Sequence, residues 1–165
     1  MIEREAPVQT AYVIHPQSPD SQTWRAEARL DEAIGLATAL DLDAAEGQIE
    51  PLRSIDPGKF FGSGKLETIK SKLQLLDANV LIVDSALTPV QQRNLERALQ
   101  VKVIDRTGLI LEIFARRAQT REGRLQVEHA RLTYERSRLV RTWTHLERQR
   151  GGQAKGLWAV QVKPR

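Results

Sequence analysis

Between Ala78 and Ser85 the chain reads ANVLIVDS, a short apolar run rich in branched side chains and without polar alternation. A strand with water on one face alternates, whereas a strand covered on both faces does not, so this run belongs in a sheet with layers packed on either side. What flanks it agrees. Lys65 to Leu76 has helical composition on one side, and on the other Thr88 and Pro89 form an N-cap and first-turn proline pair that opens a helix running to Leu99.

The same alternation recurs along the chain. Thr10 to His15, TAYVIH, is a β-type run that stops at Pro16, and from Trp24 to Leu42 the residues Leu30, Ala33, Ile34, Ala37 and Leu40 fall at helical spacing, the helix ending near Asp41 or Asp43. Gly47 to Arg53, GQIEPLR, is a second strand that Pro51 either shortens or confines to a sheet edge. Val101 to Asp105 is the last strand. Four strand and helix alternations with short connections predict an α/β fold with a small four-stranded, mainly parallel sheet and crossover helices over residues 1–105.

Beyond Asp105 the character changes. Leu111, Ala118, Leu125, Leu132, Leu139 and Leu146 recur at every seventh position, which predicts one long helix over 106–150 with a narrow apolar seam. Between Arg106 and Arg150 there are eleven Arg, no Lys and five Glu. Residues 106–165 carry a formal charge of +9 and residues 1–105 carry −5, so the modest net charge of +4 hides a polarised chain. Arginine presents a bidentate fork to phosphate, and a soluble chain with one strongly basic end most often meets RNA or DNA there. The bland alternative is a solvated helix face with arginine stems lying over apolar surface.

Trp143 and His145 stand among Arg141, Arg148 and Arg150 just before Gly151 and Gly152, an arrangement suited to stacking on unpaired bases while the charges hold phosphates. Trp143 and Leu146 serve equally well as the last positions of the seam. FFGSGK, around Gly62, Ser63, Gly64 and Lys65, is a candidate anion-binding turn at a helix start, but it is no Walker A motif. Five residues separate Gly58 from Gly64 where four are needed, and Leu66 follows Lys65 where a hydroxyl should bind magnesium. DRTG at Asp105 to Gly108 matches DxxG, yet Asp105 and Thr107 read better as helix caps.

His15, His129 and His145 are too dispersed for a metal pair, and with no cysteine there is no disulfide, thiolate ligand or thiol nucleophile. No catalytic residue and no metal site are expected. The start, MIEREAPVQTAYVIHP, lacks a signal-peptide pattern, and no window approaches a membrane span, which gives an expectation of a cytoplasmic protein.

Four segments together, FFGSGKLETIK, ANVLIVDSALTPVQQRNLERAL, VKVIDRTGLILEIFARRAQTREGRLQVEHARLTY and RTWTHLERQRGG, resemble in order and spacing the N-terminal domain of the HflX-type ribosome-associated GTPases, over about Thr10 to Gly152. The resemblance implies a parallel α/β subdomain followed by two long antiparallel helices. Their connecting loop contacts ribosomal RNA of the large subunit near the peptidyl-transferase region. A GTPase domain that binds GTP and Mg²⁺ then follows, in proteins that split or rescue stalled ribosomes under stress. By position, Arg116 to Arg141 would form the first of the two helices, half of a helical hairpin, and Trp143, Arg148, Gln149, Arg150, Gly151 and Gly152 would begin the loop.

On that reading Arg116, Arg117, Arg121, Arg124, Arg131, Arg138, Arg141, Trp143, Arg148, Arg150, Gly151 and Gly152 are the RNA-binding candidates, with the large ribosomal subunit as partner. The GxxxxGKS and NKxD motifs of the family's GTPase domain are absent from this chain, so no GTP hydrolysis and no cofactor are expected of it. After Gly152 the stretch QAKGLWAVQVKPR is expected to depart from the family loop as a divergent, flexible tail, in a truncated, frameshifted or naturally short product. The seam residues Leu125, Leu132, Leu139 and Leu146 then lack cover, which gives the alternative of a self-associating or partner-binding helical module.

Overall fold

The computed structural model describes residues 7–138. Four strands alternate with helices in the order β1 (Thr10–Gln17), α1 (Thr23–Ala39), β2 (Asp43–Pro51), α2 (Ser63–Leu75), β3 (Val80–Val83), α3 (Pro89–Leu99) and β4 (Lys102–Asp105). Two helices follow, α4 (Arg106–Arg117) and α5 (Arg121–Arg138). All four strands pair in parallel, in the spatial order β2-β1-β3-β4. The expected α/β class and parallel sheet are observed, and β3 is buried along its whole length.

Each face of the sheet has its own core. Tyr12, Ile14, Leu81, Val83 and Val103 point toward α2 and α3, where they meet Phe60, Phe61, Ile69, Leu73 and Leu95. Ala11, Val13, Val80, Ile82 and Ile104 point the other way, toward Ala33 and Ala37 of α1 and Leu109 and Ile113 of α4. The period-two alternation of strand side chains therefore feeds two layers from one set of strands. Because Leu109 and Ile113 belong to this second core, α4 is part of the α/β unit and does not project from it.

Both sheet edges are guarded. β2 lies at one edge, its last residue being Pro51, as expected for a residue without an N–H to give. At the other edge the outward carbonyl of Val103 in β4 accepts from Gln92 Nε2 at 2.9 Å, and α5 packs along that side against both α3 and α4. An open strand edge is thus closed by side chains and a helix.

The single long helix expected over 106–150 is corrected by the structure, because α4 ends at Arg117 and the chain turns back at Ala118 to Thr120. Ala118 adopts an extended backbone, and the Thr120 hydroxyl accepts the Gly123 N–H at 3.0 Å, capping a new helix. The seventh-position repeat therefore does not describe one continuous seam, since Leu111 and Leu125 sit on different, antiparallel helices. No helix of the described residues is long and apolar enough to cross a membrane.

Candidate nucleic-acid interface

α5 returns along α4 in the opposite sense. Arg131 meets Glu112 within α4, Tyr134 meets Asp105 at its N-cap, and Arg138 reaches beyond that end to Leu87 and Gln92, so rising numbers on α5 run toward the start of α4. The docked face comprises Arg131, Tyr134 and Arg138, spaced at three and four residues.

Asp105 is the centre of this docking. Its carboxylate is fully buried, accepts three hydrogen bonds and pairs with one guanidinium. Oδ1 takes the Gly108 N–H at 2.9 Å, which caps α4, and the Tyr134 hydroxyl at 2.5 Å. Oδ2 takes the Leu87 N–H at 3.1 Å and lies 3.4 Å from a guanidinium nitrogen of Arg138. Arg138 also donates to the Leu87 carbonyl at 2.5 Å and to Gln92 Oε1 at 2.7 Å, while its guanidinium stacks 4.5 Å from the Tyr134 ring centroid. Burial, followed by the charge of Asp105, pushes the Tyr134 phenol well above its ordinary pKa, so the hydroxyl keeps its proton and remains a donor.

The arginines proposed from the sequence separate into two groups. Arg131 and Arg138 are largely covered, with side chains 16% and 15% exposed, and are engaged by Glu112 and Asp105. Arg116, Arg117, Arg121 and Arg124 are exposed and fall within nine residues around the turn between α4 and α5, with Glu122 as the one acid in that stretch. Arg116 pairs with Asp41 at 2.9 Å, but both side chains stand in water, where such a pair holds little energy. Arg124 Nε donates to the Ala118 carbonyl at 3.2 Å and helps close the turn.

The tip of the hairpin is therefore a cluster of solvated guanidinium groups around a capped turn. Guanidinium groups of this kind are suited to phosphate oxygens. Arg141, Trp143, Arg148, Arg150, Gly151 and Gly152, with Leu139 and Leu146, lie outside the described residues.

Leu125 and Leu132 are 62% and 55% exposed. Tyr134 is nine positions beyond Leu125, so at about 100° per residue they point roughly 180° apart on the helix. Leu125 and Leu132 thus face away from the docked side of α5.

Two other charged features are engaged internally. At the carboxyl ends of β1 and β3, the crevice where open α/β sheets take ligands, Asp84 receives His15 Nδ1 at 2.8 Å and Arg106 at 2.7 Å, and Arg106 also meets Glu32 at 3.2 Å. The anion-binding candidate opens α2 with Gly62 as N-cap, and its Lys65 ammonium rests on the Glu50 carboxylate. Phe60 and Phe61 just before it are buried, packing edge to face with centroids 4.9 Å apart, so the glycines provide a turn beside a core anchor.

Sequence reasoning placed Asp105 correctly as a cap but missed Tyr134, Glu112 and the Asp84 cluster. The available signal was Tyr134 itself, an aromatic residue on the polar side of a leucine seam.

Comparison with known proteins accounts for both helices and sheet. Residues 27–115 match the family model described as GTP-binding GTPase N-terminal, and residues 117–162 match the GTP-binding GTPase Middle Region. A GTPase HflX of Magnetococcus marinus is 47% identical over 152 residues, 92% of this chain.

The chain belongs to the HflX family of GTPases.

The HflX of Escherichia coli is also 47% identical, over 123 residues and 74% of the chain. The chain spans 35% and 29% of the length of these two relatives, in their N-terminal part. Among solved structures, a GTP-binding protein from Sulfolobus solfataricus in complex with GDP superposes with a TM-score of 0.60 at 27% identity, covering 87% of this chain and 42% of that one. The boundary between the two family matches falls at residue 116, in the last turn of α4 and just before the turn into α5. The middle-region match runs to residue 162, past Gly152.

Proposed function

We propose that this HflX-type chain is a non-catalytic, cytoplasmic N-terminal module that binds ribosomal RNA of the large subunit through its arginine-rich hairpin. The observation that carries the reading is the exposed cluster Arg116, Arg117, Arg121 and Arg124 on the turn between α4 and α5. Four exposed guanidinium groups, with Glu122 beside them in sequence and Asp41 paired to Arg116, leave a net positive patch that phosphates would occupy. GTP and Mg²⁺ would belong to the part of the relatives that this chain does not span, and the chain itself would supply no catalytic group.

Cosedimentation with purified large ribosomal subunits over a salt series tests the reading. Binding at low salt that weakens steeply with added KCl is expected. Absence of binding at low salt, or binding unchanged when the four arginines become Ala, contradicts it.

Leu125 and Leu132 favour a second reading, a helical interaction module that pairs through the outward seam. Each exposed leucine would gain about 1.5–3 kcal/mol on burial. Light scattering across a concentration series separates the two, since this reading requires a dimer that Leu125→Glu dissociates.

A further inference from the structure

α5 is held to the protein by charge far more than by apolar burial. Among the described residues it buries one side chain, Tyr134, and that ring ends in a hydroxyl bonded to Asp105. Beside the half-buried Val127, its attachments are ionic and polar, through Arg131 on Glu112 at 3.0 Å and Arg138 on Asp105, Gln92 and the Leu87 carbonyl. Arg131 is also near Glu128 at 3.4 Å and Glu135 at 3.5 Å, carboxylates of its own helix that move with it.

The turn at Ala118 to Thr120 joins α5 to α4 through non-helical backbone, and α5 has its own cap at Thr120. The helix can therefore leave as a unit without unwinding α4. Its departure would return Asp105 and Glu112 to water while Asp105 keeps the Gly108 and Leu87 N–H groups that it already holds. Two arginines that the docked state withholds would become available next to the exposed cluster on the same hairpin.

We propose that α5 is a releasable arm whose anchoring residues Arg131 and Arg138 exchange the carboxylates of Glu112 and Asp105 for phosphate groups of a bound polyanion. The proposal rests on the nucleic-acid reading of the hairpin and deepens it. Binding begins at the exposed tip, and a polyphosphate backbone lying along the hairpin then competes with the internal carboxylates for the two buried guanidinium groups. Release and binding are linked, so whatever loosens the docked arm tightens the polyanion complex.

Tyr134 reports the event directly. The chain has two tyrosines, and Tyr12 lies in the sheet core, 2% exposed, as an internal control. The full chain is treated with tetranitromethane at low ionic strength, with and without long-chain inorganic polyphosphate, and nitration is located by mass spectrometry while calorimetry follows binding. A several-fold rise in nitration at Tyr134 with Tyr12 unchanged is expected. If polyphosphate binds and Tyr134 stays protected, the arm does not release and the proposal falls, while the nucleic-acid reading stands. If polyphosphate does not bind at all, both fall.

Tyr134→Phe gives the second arm of the test, because it removes one anchor without changing ring shape. It is expected to raise polyphosphate affinity several-fold. Equal or lower affinity overturns the proposal, since a helix that serves only as structural support gives no gain when its docking is weakened.

Discussion

The Tyr134 hydroxyl lies 2.5 Å from Asp105 Oδ1, joining the later part of α5 to the end of β4 across 29 residues of sequence. Asp105 caps α4, fixes the loop at Leu87 and receives α5, so one carboxylate coordinates three elements. Removing the phenol and removing the carboxylate should therefore have unequal effects. Tyr134→Phe should cost about 1.5–3 kcal/mol, the value of one hydrogen bond to a charged acceptor, and leave the sheet intact. Asp105→Ala should cost about 3–5 kcal/mol, because it also uncaps α4 and leaves the Leu87 N–H and Arg138 without their buried acceptor. Urea unfolding of the two variants checks the order, and equal losses would contradict the shared role of Asp105.

Gly108 tests the same contact from the other side. A Cβ built there would stand 2.9 Å from the Tyr134 hydroxyl oxygen and 3.3 Å from its ring carbon Cζ. Alanine in a helix ordinarily gains about 1 kcal/mol over glycine, yet here it should destabilise by about 1–2 kcal/mol by lifting the ring off Asp105. The loss should shrink when Gly108→Ala is made on a Tyr134→Phe background, and a double-mutant cycle measures that coupling. Additive losses would place the strain elsewhere.

The β4 edge predicts a pH effect. Burial raises the Glu96 carboxyl from 4.5 to about 7, against the opposing pull of Lys102, the Val103 N–H and Gln92. Burial in turn lowers the Lys102 ammonium. Folded protein holds the Glu96 proton at a pH where the unfolded chain has lost it, so this contribution to stability is fully present below about pH 4.5 and is lost as pH rises through about 7. Glu96→Gln keeps an acceptor for Val103 and does not titrate. Its stability relative to the parent should improve steadily as pH is raised across that window in urea unfolding, and a constant difference would exclude the shift.

Much of the sheet was legible because its signals are local. The ANVLIVDS run, the Thr88 and Pro89 pair and Pro51 at the end of β2 each reflect a constraint that acts within a few residues. Thr88 accepts from the Gln91 backbone at 3.1 Å, while the Gln91 side chain accepts from the Thr88 N–H at 3.0 Å. The turn at Ala118 to Thr120 was not legible in the same way. The repeat from Leu111 to Leu125 continues across it, and propensity alone does not break a helix there. The break is fixed by contacts distant in sequence, Arg131 with Glu112 and Tyr134 with Asp105, which only a reversal of the chain allows.

The same reversal explains why the candidate arginines were only partly sorted in advance. A basic run carries no mark that distinguishes Arg121 and Arg124, which face water, from Arg131 and Arg138, which hold the helix down. Their periodicity gains meaning only when the docked face is known. Trp143 and the arginines beyond it stay expectations from the sequence.

The most direct test of the account compares the salt dependence of RNA binding in the parent chain and in a variant with Arg116, Arg117, Arg121 and Arg124 all replaced by Ala. Each phosphate neutralised contributes about 0.7–0.9 to the slope of log K against log salt. The account predicts that the variant keeps its thermal stability and loses affinity, with a slope shallower by about 3 for four lost contacts. An unchanged slope and affinity would show that RNA does not meet the hairpin turn, and would contradict the central claim.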